Sequence, residues 1–316
     1  DSIIDFNGEK ALLLKDNGSQ DDLRIYDLSS ETNINVETPS GYSVVDTRSY
    51  LTNEGVIYAA QYVDGDYSSN VYDWNDSVLY DLGLTRANGS LTVSGDYAIW
   101  SLDRTLWLRT LTTKTNIIAS SSAGSYGTHY YSDVADNGVI AYRSSDFEIE
   151  QYKDGVQTTL TNDPVLWNTG VLTDGHGFVY RKHDAYSIAD AEYKLIYHDG
   201  ISETVLTNPT RQQPRPEEDY QIENGWIAYV ESGLLGQDHI WTRSPMGTLL
   251  QRSYFGTDSS LESLSKEGDV MFINSGRRYL SKSDGELLEV GSDLGKSYAI
   301  DGIWYVTIGR SLLAVE

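Results

Sequence analysis

YSDVADNGVIAYRSSDFEIEQYKDGVQTTLTN, residues Tyr131 to Asn162, holds four short β-prone runs in succession. Tyr131–Ala135 is followed by a turn at Asp136-Asn137-Gly138, and Val139–Arg143 forms a second, more apolar run. Phe147–Tyr152 is closed by Lys153-Asp154-Gly155 and leads to Val156–Thr161. Asn-Gly and Asp-Gly tolerate positive φ, which tight hairpin turns require. The stretch therefore predicts an antiparallel unit of four strands.

The same unit recurs along the chain. Its marker is a polar residue plus Gly before a β-rich run. It occurs at Asn7-Gly8, Glu54-Gly55, Ser94-Gly95, Asn137-Gly138, Gly175–Gly177, Asn224-Gly225, Glu267-Gly268 and Asp301-Gly302. Each of the first seven is followed by a second hairpin, with third strands expected at Leu23–Asp27, Ser77–Asp81, Thr105–Arg109, Phe147–Tyr152, Tyr193–His198, His239–Arg243 and Arg277–Ser281. Four antiparallel strands repeated about every 40 residues predict an all-β chain folded as a β-propeller. The last unit offers only Ser297–Ile300, Ile303–Thr307 and Ser311–Val315. The expectation is about eight four-stranded blades with the last incomplete, seven blades being the alternative. Approximate blade spans are 1–40, 41–87, 88–122, 123–163, 164–209, 210–253, 254–291 and 292–316, read as one propeller domain. No stretch carries the apolar spacing and caps of a long helix.

Asp136-Asn137-Gly138-Val139-Ile140-Ala141-Tyr142-Arg143-Ser144 resembles the core of the TolB-type, WD40-like propeller repeat, and Ser265–Phe272 is similar. The chain lacks that family's Pro before the turn and has no Trp-Asp dipeptides at strand ends. The resemblance implies the fold and carries over no functional residue, because propellers host many activities.

Bulk composition narrows the function. The 316 residues include 47 acidic and 23 basic side chains, a net charge of −24. This argues against nucleic acid, whose phosphates require clustered Lys and Arg, and against anionic membranes. No apolar run reaches the roughly 18 residues of a spanning helix. Cys is absent, so thiol chemistry and Cys-ligated metals are excluded. The 24 tyrosines against 5 phenylalanines suit half-wet pleated surfaces. The start carries no signal-peptide pattern, and the chain reads as a mature or excised domain.

Antiparallel connectivity places the first and third turns of each blade at one end of its sheet. The second loops and the connections between blades lie at the other end, where the longer segments gather. Ligand-binding candidates there are Tyr67, Tyr72 and Trp74 in the expected loop Tyr62–Asp76. Others are His129 and Tyr130 before blade 4, Trp167 before blade 5, Arg181, His183 and Tyr186 around the loop Lys182–Glu192, and Arg211 and Arg215 before blade 6. Aromatics on such loops stack on sugar faces or anchor protein partners, and Arg forks receive carboxylates or sulfates. Trp100, Trp226 and Trp304 fall in second strands and are expected to pack between blades.

These features favour a non-catalytic binding or adhesion module of an extracellular or cell-surface bacterial protein, presenting a loop-rich face to a glycan or protein. The first alternative is a polysaccharide lyase that acts on uronate-containing glycans by β-elimination. Arg181 would neutralise the carboxylate, and His183 and Tyr186 would move protons. The second alternative is a structural spacer of a larger secreted protein. No cofactor is expected. Ca²⁺ is the one candidate ion, with Asp16, Asp21, Asp64 and Asp66 as oxygen donors in turns that do not match the twelve-residue Ca²⁺ loop.

Overall fold

The computed structural model describes residues 2–15, 21–62, 68–75, 77–86, 91–102, 105–121, 132–163, 166–184, 191–233, 236–292, 295–308 and 311–315. These form seven four-stranded sheets and one three-stranded sheet, each with its strands in chain order. The fold is an all-β propeller of eight blades, and among the described residues there is no helix. Accordingly, among the described residues no helix is long and apolar enough to cross a membrane.

The Tyr131–Asn162 stretch supplies the fourth blade as expected, with strands Ser132–Val134, Ile140–Arg143, Ile149–Lys153 and Val156–Thr159. The last blade is the three-stranded one: Ser297–Ile300, Ile303–Ile308 and Ser311–Val315. Blade 2 corrects the sequence reading. Its third strand is Ser68–Asn75 and its fourth is Val78–Arg86. Ser68, Ser69 and Asn70 disguise the third strand as loop, although from Val71 onward the residues alternate sides as strand residues must. Tyr72 and Trp74 join a core with blade 1, Val71 joins one with blade 3, and Asp73 binds Arg109 of blade 3.

By contacts the chain divides into two compact units. One comprises Asp1–Ile140 with Tyr152–Gln157, and the other Ala141–Gln151 with Thr158–Glu316. Within the first unit, Ile4, Leu12, Leu23 and Ile25 of blade 1 pack on Val56, Tyr58, Tyr72 and Trp74 of blade 2. Ile57, Ala59 and Val71 of blade 2 pack on Leu91, Ala98 and Trp100 of blade 3. The pattern continues in the second unit, where Leu172, Val179 and Leu195 of blade 5 meet Tyr220, Ile227 and Tyr229 of blade 6. Each large side chain removed from water this way contributes about 1.5–3 kcal/mol, so the hydrophobic core lies between successive blades.

First strands are also tied to their neighbours by single hydrogen bonds. The Leu51 amide donates to Asp5 Oδ2 at 2.7 Å, and Tyr50 Oη donates to the Leu91 carbonyl at 2.9 Å. In the second unit Gln221 Nε2 donates to the Glu262 carbonyl at 3.0 Å. Trp226, expected to lie between blades, sits over Gly268 of blade 7. That glycine has φ +86°, and a Cβ added there would come within 2.3 Å of the indole.

Candidate functional site

The candidate site is built at the second-loop ends of blades 4 to 6, inside the second unit. It starts with the turn Ser144–Glu148, whose sequence is SSDFE. The Ser144 amide donates to the Glu148 carbonyl at 2.8 Å and the Phe147 amide donates back to the Ser144 carbonyl at 3.3 Å. The same pair of bonds closes turns at 135–139, 233–237, 244–248, 265–269 and 282–286. In those five the fourth residue is glycine: Gly138, Gly236, Gly247, Gly268 and Gly285, all with positive φ. Here it is Phe147, at φ 63°. Among the described residues it is the one apolar side chain in that left-handed region, where an L-residue costs about 1–2 kcal/mol.

What the ring gains is a stack. Phe147 lies parallel to Trp167, with centroids 4.2 Å apart and planes 8° apart. The Arg143 guanidinium sits 4.9 Å from the Phe147 centroid. The Asn168 amide donates to the Phe147 carbonyl at 3.1 Å, fixing the turn to the first strand of blade 5. Glu148 clamps the same junction. Its Oε1 accepts from the Asp163 amide at 2.8 Å, and its Oε2 accepts from Thr161 Oγ1 and from Asn168 Nδ2. Arg143, Phe147 and Trp167 are half-buried, so part of the stack meets solvent.

The row continues across blade 5. Trp167 of strand Trp167–Thr173 pairs with His183 of Phe178–His183, which pairs with Tyr193 of Tyr193–His198. Ring centroids are 5.4 Å apart for Trp167 and His183 and 5.0 Å for His183 and Tyr193. Tyr193 then exchanges both backbone hydrogen bonds with Thr210, at 2.7 and 2.9 Å. Thr210 lines a pocket of about 110 Å³ formed by the connection into blade 6 and the second and third strands of that blade. Its walls include Pro209, Pro214 and Val230, and three carboxylates, Asp219, Glu231 and Asp238, also line it.

Strand alternation separates the residues that adjacency in sequence had grouped. Tyr180 and Lys182 share one face. Tyr180 Oη donates to Glu203 Oε1 at 2.6 Å. Burial first, and then Glu203, push the Tyr180 hydroxyl well above its ordinary range. Lys182 Nζ lies 2.7 Å from Asp163 Oδ2 and 2.6 Å from Glu203 Oε2. Burial opposes the charge on Lys182, but hydrogen bonds to Asp163 and Glu203 prevail and hold its pKa above the usual value.

Arg181 and His183 lie on the opposite face. Arg181 is 1% exposed, and its Nη1 donates to the Pro214 carbonyl at 2.6 Å. It also packs against Gly170, whose φ is +63°. A Cβ there would come within 2.5 Å of Tyr220 Oη and 2.9 Å of Arg181 Nε. His183, the middle ring of the aromatic row, is 6% exposed.

Several candidates are therefore relocated. Tyr72 and Trp74, expected on a loop, are strand residues buried to 3% and 6% exposure between blades 1 and 2. Arg181 and His183 are buried and do not present an open cation and base, while Tyr186, the third residue of the lyase reading, lies outside the described residues. The cationic candidates of blades 5 and 6 do not assemble into one basic patch. Lys182 is bound by two carboxylates, and Arg215, though exposed, pairs with Glu218 and lies 3.5 Å from Asp219 Oδ2. Arg211 is exposed. Trp167 is the predicted residue that the structure places in the stack. Asp21 is half-buried, and its amide donates to Ser43 Oγ at 3.4 Å. Tyr67, His129, Tyr130, Tyr186, Asp16, Asp64 and Asp66 lie outside the described residues. Among the described residues no group of three or more metal-ligating side chains occurs.

Sequence reasoning missed Phe147, Arg143, Tyr193 and the pocket. A signal for Phe147 was present, since SSDFE aligns with SKEGD at 265–269 and puts an aromatic where the turn elsewhere carries glycine.

No protein-family model matches the chain, and no curated protein matches it. Solved structures do. Porphyromonas gingivalis dipeptidyl peptidase 4 aligns with a TM-score of 0.60 at 12% identity, over 95% of this chain and 54% of that one. The chain thus spans about half of that enzyme's length. The β-propeller domain of the trilobed protease from Pyrococcus furiosus aligns with a TM-score of 0.51 at 13% identity, over 90% of this chain and 95% of that one. TolB from Acinetobacter baumannii also matches, at TM-score 0.38 and 13% identity, over 90% of this chain and 80% of that one. The chain has the fold-level likeness to solved β-propellers that its repeat implies. At these identities the likeness shows the fold alone.

Proposed function

We propose that this propeller is a non-catalytic binding module, and that the half-buried stack of Arg143, Phe147 and Trp167 receives a glycan or protein ligand. The observation that carries the reading is Phe147 at φ 63°, in a turn that elsewhere uses glycine. Strain of this kind persists where the surroundings enforce it, and it concentrates at ligand contacts. An aromatic pair with a guanidinium offers apolar faces and hydrogen-bond donors together, which suits sugar rings and protein anchors alike. An extracellular or cell-surface bacterial setting is part of the proposal, and the acidic composition, which favours solubility, suits it.

The test uses Phe147→Gly, which restores the residue found in the sister turns while deleting the ring. The intact chain is passed over immobilised pectate, alginate, chitosan, neutral glycans and a peptide array. Retention of the parent on one of these and at least tenfold weaker retention of Phe147→Gly, with folding unchanged, is the expected result. Equal retention of both proteins would overturn the assignment of the stack. Ultraviolet absorbance recorded during the pectate and alginate incubations reads out any β-elimination.

A second reading, a supporting domain of a longer chain, draws on the coverage of only 54% of the peptidase of P. gingivalis. It gains weight if no immobilised ligand retains the parent.

A further inference from the structure

The pocket beside Thr210 differs in chemistry from the aromatic stack. Its volume, about 110 Å³, is well below the roughly 300–1,000 Å³ of pockets that enclose whole small ligands. Its volume suits one inserted side chain. Pro209, Pro214 and Val230 supply apolar wall, while Asp219, Glu231 and Asp238 supply negative charge, and no lysine or arginine lines it.

Each carboxylate is held by one oxygen. Glu231 Oε1 accepts from the Asn208 amide at 3.1 Å and from Asn208 Nδ2 at 3.0 Å. Asp238 Oδ1 accepts from Ser232 Oγ at 2.5 Å. Asp219 Oδ2 accepts from the Arg215 amide at 2.7 Å and lies 3.5 Å from its Nε. Among the described residues the second oxygen of each acid takes no protein hydrogen bond. The acids are thus positioned in advance, each with acceptor capacity to spare.

We infer that this pocket takes the alkylammonium side chain of a lysine from a polypeptide partner, with the aliphatic stem against Pro209, Pro214 and Val230 and the ammonium among Asp219, Glu231 and Asp238. An apolar slot with charged acceptors matches a lysine, which is a hydrocarbon stem ending in a point charge. An amino sugar carries its ammonium directly on a polar ring and has no stem to bury. The net charge of −24 adds long-range attraction for a basic partner. The inference rests on the reading of the chain as a binding module and gives that module a second, chemically distinct contact. Tyr193 connects the two through its pairing with Thr210.

The experiment is a ¹H–¹⁵N NMR titration of the intact chain with the capped pentapeptide Gly-Ser-Lys-Ser-Gly. Its Nζ-acetylated form and a chitosan tetramer are titrated in parallel. Saturable shifts of the Asn208, Thr210 and Glu231 amides with the first peptide, absent with the acetylated one, are expected. The double variant Glu231→Gln/Asp238→Asn, which keeps side-chain size and the Asn208 and Ser232 contacts, should weaken binding at least tenfold and leave thermal unfolding unchanged. Raised salt should weaken it as well. Three results would each overturn the inference: equal binding of the acetylated peptide, binding unaltered in the double variant, or no saturation. Shifts produced only by the chitosan tetramer would reassign the pocket to an amino sugar and overturn the polypeptide partner. Phe147→Gly should leave the lysine titration intact. Loss of glycan or protein retention in that variant therefore tests the stack independently of the pocket.

Discussion

Gly170→Ala tests whether the site rests on the buried contacts beneath it. The residue has φ +63°, so any L side chain costs about 1–2 kcal/mol in backbone strain. The new Cβ would lie 2.5 Å from Tyr220 Oη and 2.9 Å from Arg181 Nε. Neither group can swing into solvent, since Tyr220 is 0% and Arg181 1% exposed. Displacing the first breaks its bond to the Gly170 carbonyl, and displacing the second breaks the bond to the Pro214 carbonyl. Losing one buried hydrogen bond costs about 1–3 kcal/mol, which brings the expected total to about 2–5 kcal/mol. Gly200→Ala in the same blade is the control. Its φ is +91° but nothing lies within 4 Å of the added Cβ, so only the backbone cost of about 1–2 kcal/mol applies. Equilibrium urea unfolding followed by tryptophan fluorescence measures both. Equal losses in the two variants would refute the argument that Arg181 and Tyr220 are rigid supports. If Gly170→Ala folds, its lysine-peptide titration should weaken as well, because Pro214 is a pocket wall.

Two further outcomes follow from the first unit. Arg109 and Asp73 form a pair at 2.6 Å with both side chains nearly inaccessible, so Asp73→Asn leaves a buried guanidinium without its counter-charge and should cost roughly 3–5 kcal/mol in urea unfolding; a loss below about 1 kcal/mol would show that Asn116 and the Lys114 carbonyl suffice as partners. Burial, then the charge of Asp81, pushes the Tyr72 hydroxyl up to about 12 from 10.0. Because the folded state holds this proton more tightly than the unfolded chain does, its contribution is intact below pH 10 and is lost as pH rises toward about 12. Tyr72→Phe should flatten that segment of the stability profile, and an unchanged slope would contradict it.

The amino-acid sequence by itself determined the blade. Hairpin turns such as Asp136-Asn137-Gly138 and the period-two runs beside them are local signals, set by which residues tolerate positive φ and which prefer a pleated surface. Their recurrence was enough to specify four strands per unit, about eight units with seven as the alternative, and a short last blade. The exception in blade 2 is instructive, because Asp73 looked like loop until its partner Arg109, 36 residues away, was seen. The site was far less legible. Arg181, Lys182 and His183 are neighbours in sequence and read as one basic cluster. Alternation along the strand sends Lys182 to one face and the other two to the opposite face, and packing between blades then buries Arg181 and His183. Phe147 and Trp167 are 20 residues apart and stack only because one turn and the start of the next blade meet. The carboxylates of the pocket come from a connection and two strands and are separated by up to 19 positions. Local sequence carries backbone preference; which side chains end up sharing a face, a stack or a pocket is decided by the register of strands and the packing of blades, and neither is a local property.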